Sequence, residues 1–250
     1  QKLFGPAIFV SHIPSILAAF ITLYITNKLS KLLIGEKLSW VTSIILSTTY
    51  IWINNAHLST QEMPLLSLEM LSLYSLIKST NKNSTFYIFI CSLCIGPALL
   101  LKSFMIIIPI LAISPYVYLY RNHIFRTKAF WIGLSIGLFP FFIWIYLCLK
   151  EYGIESITNQ INKINYLATG NQYEQPFYYY LWNIPVNTFP WIIFSIIGSI
   201  DLYKRKLHEI NYILILYPIL IVLFLSIFRT KTPYYPIQIA PIIAINANLG

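Results

Sequence analysis

The stretch AFWIGLSIGLFPFFIWIYLCL, residues 129–149, holds no charged residue and is bounded by Lys128 and Lys150. As helix, at about 1.5 Å of rise per residue, it spans roughly 30 Å, the thickness of a bilayer's hydrocarbon core. A strand of a lipid-facing barrel needs only about 10 residues and alternates polar with apolar side chains, which this run does not. It reads as a membrane-spanning helix. Apolar runs of the same kind recur at approximately 6–27, 38–56, 63–77, 84–101, 103–120, 176–200, 211–228 and 233–249. The weakest, 63–77, is short and carries Glu69, so a tilted or partly interfacial helix is expected there. The fold class is all-α: a polytopic transmembrane helix bundle of about eight to nine membrane helices, forming a single transmembrane domain over 1–250. Because Gln1 leads directly into a membrane segment, this domain reads as partial.

Composition supports the same class. Of 250 residues, 57% are hydrophobic and 10% charged, with a mean hydropathy of +0.68. An ordinary soluble domain is about 25% charged, and this chain has too little charge in its loops to cover a soluble core. The net charge of +9 does not indicate nucleic acid, since the basic residues are confined to short loops between apolar runs. Orientation in a membrane explains them. Cys91 and Cys94 form a C-x-x-C inside an apolar run without a second Cys pair or a nearby His, a pattern that argues against zinc and redox chemistry. The chain has no Walker A loop, no G-x-G-x-x-G and no H-E-x-x-H.

Loop charges assign the two sides. One set of loops holds Lys28, Lys31, Lys37, Lys78, Lys82, Arg121, Arg126, Lys128, Lys204, Arg205 and Lys206, which is 11 of the 17 basic residues. By the positive-inside rule this side is cytoplasmic. Lys2, Lys102, Lys150, Lys163, Arg229 and Lys231 remain on the outer side. That side also carries the longest polar segment, 150–175, expected as an extracytoplasmic loop that serves as a lid or binding loop. The aromatic run PFYYYLWNIPVNTFPW follows it and suits the headgroup level of a membrane.

Ionisable residues at helix ends on the outer side are the functional candidates. Glu62 and His57 lie in NNAHLSTQEMPLL, Lys102 in GPALLLKSF, and Arg229 and Lys231 in FRTKTPYYPIQIAP together with Tyr235. One carboxylate and three cations facing one compartment suit an anionic lipid headgroup held beside a group that binds an acceptor or a divalent metal ion. Glu62, with His57, is the candidate for acceptor or metal. Two plainer readings stand beside these: cations that snorkel to bulk lipid phosphates, and a Glu62 that stabilises a helix N-terminus.

At these residues the chain resembles the polyprenyl-phosphate-dependent glycosyltransferases, which include protein O-mannosyltransferases and the bacterial aminoarabinose transferase of lipid A. FVSHIPSILAA resembles a family segment with Arg at the position of His12, and STQEMPLL resembles T-x-D-x-P-L with Glu62 at the acidic position. LLLKSFMIIIP resembles an L-T-K-G run, with Lys102 at the lysine and Ser103 at the glycine. QPFYYYL and FPW resemble Q-P-F-x-Y-Y-L and P-W. TKTPYYPIQIAP resembles T-K-L-P-H-Y-L-L-P, retaining Lys231 and Tyr235, with Tyr234 in place of His.

The resemblance implies a GT-C type glycosyltransferase in the inner or plasma membrane. Such an enzyme moves a sugar from a polyprenyl-phosphate donor to a lipid or protein acceptor on the extracytoplasmic face. Lys102, Lys231, Tyr235 and Arg229 would then bind the donor phosphate, and the general base is expected upstream of Gln1. A transporter or flippase, or a non-catalytic polyprenyl-phosphate binder, are the alternatives; the first is disfavoured because no internal repeat is evident.

Overall fold

The computed structural model describes residues 8–35, 38–80, 84–169 and 174–250; Lys2, Lys37 and Lys82 of the charge count lie outside them. Helix dominates, as it must where no water can satisfy the backbone. The extended pairing seen among the described residues is one isolated antiparallel bridge, Glu174 with Thr230. The helices are α1 (Ile8–Ile34), α2 (Ser39–Thr48), α3 (Tyr50–Ala56), α4 (Glu62–Lys78), α5 (Ser84–Leu93), α6 (Ile95–Lys102) and α7 (Ile107–Tyr120). They continue as α8 (Lys128–Tyr152), α9 (Glu155–Thr169), α10 (Tyr179–Thr188), α11 (Trp191–Lys204), α12 (His208–Asn211), α13 (Tyr217–Ile227) and α14 (Ala240–Ala247).

Several apolar runs that read as one span each are broken in two, for identifiable reasons. In 84–101 a turn at Cys94 interrupts the helix without ending the span: Pro97 lacks an N–H and its ring crowds the carbonyl four residues back. In 38–56 it breaks at Thr49, where Thr48 and Thr49 turn their hydroxyls onto the carbonyls of Ile44 and Ile45. In 176–200, α10 and α11 meet at 107°. Among the described residues, four helices are long and apolar enough to cross a membrane: Val10–Ile34, Ser84–Lys102, Lys128–Tyr152 and His208–Ile227. Counting the bent α10–α11 pair makes five. The expected eight to nine membrane helices are therefore not matched one for one, because Ser39–Thr48, Ile107–Tyr120 and Tyr235–Ala247 are apolar but short. Within the polar segment 150–175, Glu155–Thr169 form helix α9.

Packing separates a protein-facing interior from a lipid-facing surface. All eight residues of α14 are buried, so it acts as a central post, packed on α11 and α2. α8 is its opposite, an apolar helix whose buried residues are Gly133 and Gly137. Those glycines let α8 approach closely: a Cβ on Gly96 of α6 would lie 1.8 Å from the Gly137 carbonyl oxygen. Small residues at such crossings are the usual means of helix association where lipid is as apolar as the interface. Polar contacts assist, as where Asn246 donates to the Leu214 carbonyl at 2.7 Å and to Ser199 Oγ at 3.1 Å.

The two sides inferred from charge are two ends of the molecule. At one end Ser15 donates to the Thr60 carbonyl, Ser59 to the Ser11 carbonyl, and Lys102 meets Glu62 and Tyr235. At the other, Arg121 pairs with Glu209 and Asn248 donates to the Leu38 carbonyl.

Candidate functional site

Glu62 opens α4, and Lys102 closes α6 just where the chain tightens into a 3-10 segment over Ser103–Ile106. The position suits each charge, a carboxylate at a helix N-terminus and an ammonium at a C-terminus. The two meet directly: Lys102 Nζ donates to Glu62 Oε1, with side chains 14% and 10% exposed. The same ammonium stands 4.6 Å from the centre of the Tyr235 ring and 5.4 Å from that of Tyr234. The two rings lie edge to face at 5.1 Å. Lys102 is thus caged between a carboxylate and two aromatic faces, an arrangement in which both charge pairing and the ring quadrupoles favour the cation. Tyr234, 37% exposed, forms the open side of the cage.

The turn that brings the tyrosines here is fixed from below. The helix α13 ends where Phe228 turns extended, and Pro233 and Pro236 stiffen the turn that follows. Tyr180 of α10, fully buried, donates to the Thr232 carbonyl at 3.3 Å. Lys231, 3% exposed, donates to the Phe228 carbonyl at 2.6 Å and to that of Gln175 at 3.1 Å. Burial pulls its ammonium below the ordinary lysine value, with the Glu174 carboxylate opposing. Gln175 N–H donates to the Arg229 carbonyl, and Arg229 itself stands exposed with Glu174 at 3.9 Å.

Of the residues singled out in the sequence, Glu62, Lys102 and Tyr235 therefore come together. Lys231 is engaged with backbone carbonyls, and Arg229 stands exposed beside Glu174. His57 Nδ1 bonds the Ile53 carbonyl at 2.8 Å, while the ring of His12 bonds the carbonyl of His57. Both histidines tie the 57–60 turn to its surroundings. Glu62 as a metal ligand finds little support in its neighbours: the group against it is an ammonium, and among the described residues no three His, Cys, Asp or Glu side chains are grouped to hold an ion.

Sequence reading missed three features. Tyr234 read as a departure from the family pattern, yet it supplies one wall of the cage. Glu69 accepts from Gln238 Nε2 at 3.0 Å in the interior; the isolated polar letters in two apolar runs were the available signal. A cavity of about 570 Å³ also opens alongside Leu68, Glu69, Cys94, Ile95, Ala98 and Ile106, one to two turns from the Lys102–Glu62 pair, and reaches Asn122 and Phe130 towards the opposite end. No sequence signal marks it.

A sequence model of the family described as dolichyl-phosphate-mannose-protein mannosyltransferase matches residues 1–146, more than half of the chain. The chain belongs to that family. Its fold is that of a solved relative, ArnT from Cupriavidus metallidurans. Against the crystal structure of ArnT bound to undecaprenyl phosphate the TM-score is 0.85 at 19% identity, covering 99% of this chain and 47% of that one. Against ArnT in the apo state it is 0.78 at 18% identity, covering 99% and 46%. The chain thus spans about half the length of the solved relative it matches. No curated protein sequence matches it significantly. The caged lysine thus belongs to a member of this family with the ArnT fold.

Proposed function

We propose that this chain forms part of a glycosyltransferase that takes a sugar from a polyprenyl-phosphate donor and passes it to a lipid or protein acceptor on the extracytoplasmic face of the cell membrane. The observation that carries the reading is the Lys102 cage, a cation held at a helix end one to two turns from an apolar cavity. An ammonium has three donors. Glu62 takes one, which leaves Lys102 able to hold a phosphate oxygen through the open side at Tyr234. The apolar cavity beneath suits an isoprenoid chain, and the ArnT relative bound to undecaprenyl phosphate supports that class of ligand.

In the reaction, an acceptor hydroxyl oxygen attacks the anomeric carbon and the bond from that carbon to the phosphate oxygen breaks. The phosphate leaves with the electron pair, and the hydroxyl proton passes to a general base. Negative charge grows on the leaving phosphate, and Lys102 stabilises it without having to reorganise, because Glu62, Tyr234 and Tyr235 already hold the ammonium. Arg229, exposed on the same end, is a second cation available to the phosphate. Lys231 acts as the strut of the turn, bound to two carbonyls.

The test is undecaprenyl phosphate binding to purified full-length protein. A charge-assisted contact contributes about 1.5–3 kcal/mol, so Lys102→Ala should weaken binding roughly ten- to hundredfold. Lys204→Ala, an exposed change at the other end, should leave it unchanged. Equal affinities in the two variants would remove the phosphate site. Release of free polyprenyl phosphate from a polyprenyl-phosphate sugar, dependent on added acceptor, distinguishes the enzyme from a binding protein.

A further inference from the structure

Glu69 and Gln238 are polar side chains in the interior to which the phosphate site assigns no role. Glu69 lies two turns along α4 from Glu62 and is 7% exposed; Gln238 is 5% exposed. Gln238 Nε2 donates to Glu69 Oε1 at 3.0 Å, while Glu69 Oε2 and Gln238 Oε1 have no partner. A carboxyl group and an amide at this depth are costly, and the pair leaves half its bonding capacity unused, so stability alone does not account for it.

Its place in the fold does. Gln238 belongs to the 3-10 segment Tyr235–Ile239, and three residues make one turn of such a helix, so Gln238 and Tyr235 lie on the same side of it. The contacts then close into a circuit: α4 to Glu62, Glu62 to Lys102, Lys102 to the Tyr235 ring, Tyr235 through its own segment to Gln238, and Gln238 back to α4 at Glu69. Apolar contacts could hold the segment against α4 but would not set its rotation, since in a bilayer one apolar face is nearly as good as another. A hydrogen bond has a direction.

We propose that Glu69 is a positioning residue: through Gln238 it sets the rotation of the Tyr235–Ile239 segment on α4, and with it the tyrosine face and the ammonium that receive the donor phosphate. This rests on the phosphate-site reading above. Only the acceptor oxygen matters to the role, so Glu69→Gln, which keeps an oxygen in place, retains it and Glu69→Met does not.

The experiment measures undecaprenyl phosphate affinity and thermal stability on purified full-length protein carrying Glu69→Gln, Glu69→Met, the double change Glu69→Met with Gln238→Met, and Lys102→Ala. Glu69→Gln should bind like the parent. Glu69→Met should bind about tenfold more weakly, the worth of one buried hydrogen bond. The double variant replaces both partners with apolar groups and should regain stability while its affinity stays about tenfold low; it decides the matter even if the single methionine variant does not fold. Affinity that recovers together with stability, or a Glu69→Gln variant as weak as Glu69→Met, overturns the proposal while leaving the phosphate site standing. Parent-like binding by Lys102→Ala overturns both.

Discussion

Replacing Lys231 with methionine removes an ammonium but keeps most of the apolar stem that packs beneath it. The Phe228 carbonyl at 2.6 Å and the Gln175 carbonyl at 3.1 Å lose their donor. A buried group left unpaired costs about 1–3 kcal/mol. Gln175 adjoins the exposed Glu174–Arg229 pair, where water can reach its carbonyl, so the expected loss is about 2–3 kcal/mol in all. For a chain of this size each kcal/mol lowers the melting temperature by about 2–4 °C, which predicts a fall of about 5–10 °C. Tryptophan fluorescence during heating at a fixed scan rate in detergent reads that fall, and an undecaprenyl phosphate titration of the same samples reads the site. Affinity should drop less than in Lys102→Ala, because the strut acts on the phosphate only through the turn. An unchanged melting temperature combined with a loss of affinity as large as that of Lys102→Ala would refute the strut and return Lys231 to the phosphate.

Three more outcomes are expected. Cysteine placed at exposed Asn159 of α9, in a version lacking Cys91, Cys94 and Cys148, should react with an impermeant maleimide added to whole cells, while cysteine at Lys204 reacts only after the membrane is opened; the reverse pattern would invert the topology. Gly96→Ala drives a methyl group into the Gly137 backbone, so it should lower the melting temperature by several degrees and, because α6 carries Lys102, weaken phosphate binding, whereas Gly35→Ala, with open space around it but a strained backbone, should affect stability without affecting binding. The folded-state value of Lys231 lies below that of the unfolded chain, so the unfolded state holds more protons between the two; relative to Lys231→Met, the parent should gain stability as pH rises through that interval and not below it, as followed by melting temperature from neutral to alkaline pH.

The ends of the apolar runs marked the residues that meet in the fold. Glu62 and Tyr235 meet at Lys102, and Arg121 meets Glu209. The glutamate and lysine of the site were legible because charge at the end of an apolar run stands out. The contact between them was not: Glu62 read as an acceptor or metal ligand, and Lys102 as grouped with Lys231 and Tyr235 around a phosphate, because spacing along the chain says nothing about which turns adjoin. Broken helices were half visible, since Pro97 and Pro190 are plain in the sequence while the threonine break at Thr49 depends on hydroxyls choosing carbonyls over solvent.

What the sequence determined by itself is the class: an α-helical membrane protein with a small set of ionisable residues at the ends of its apolar runs. Transfer of apolar side chains out of water is decided residue by residue, so composition and run length suffice for it. What only the tertiary structure decided is the rotation of each helix, and with it the cage around Lys102, the cavity beneath it, and the bond from Glu69 to Gln238. In a soluble protein a polar face marks the outside of a helix, but here lipid and protein interior are almost equally apolar, so the faces of α4, α6 and α14 carry little local mark of what they touch. Their orientation follows from close fit at residues such as Gly96 and Gly137, and from a few directional bonds between residues as far apart in the chain as Glu69 and Gln238.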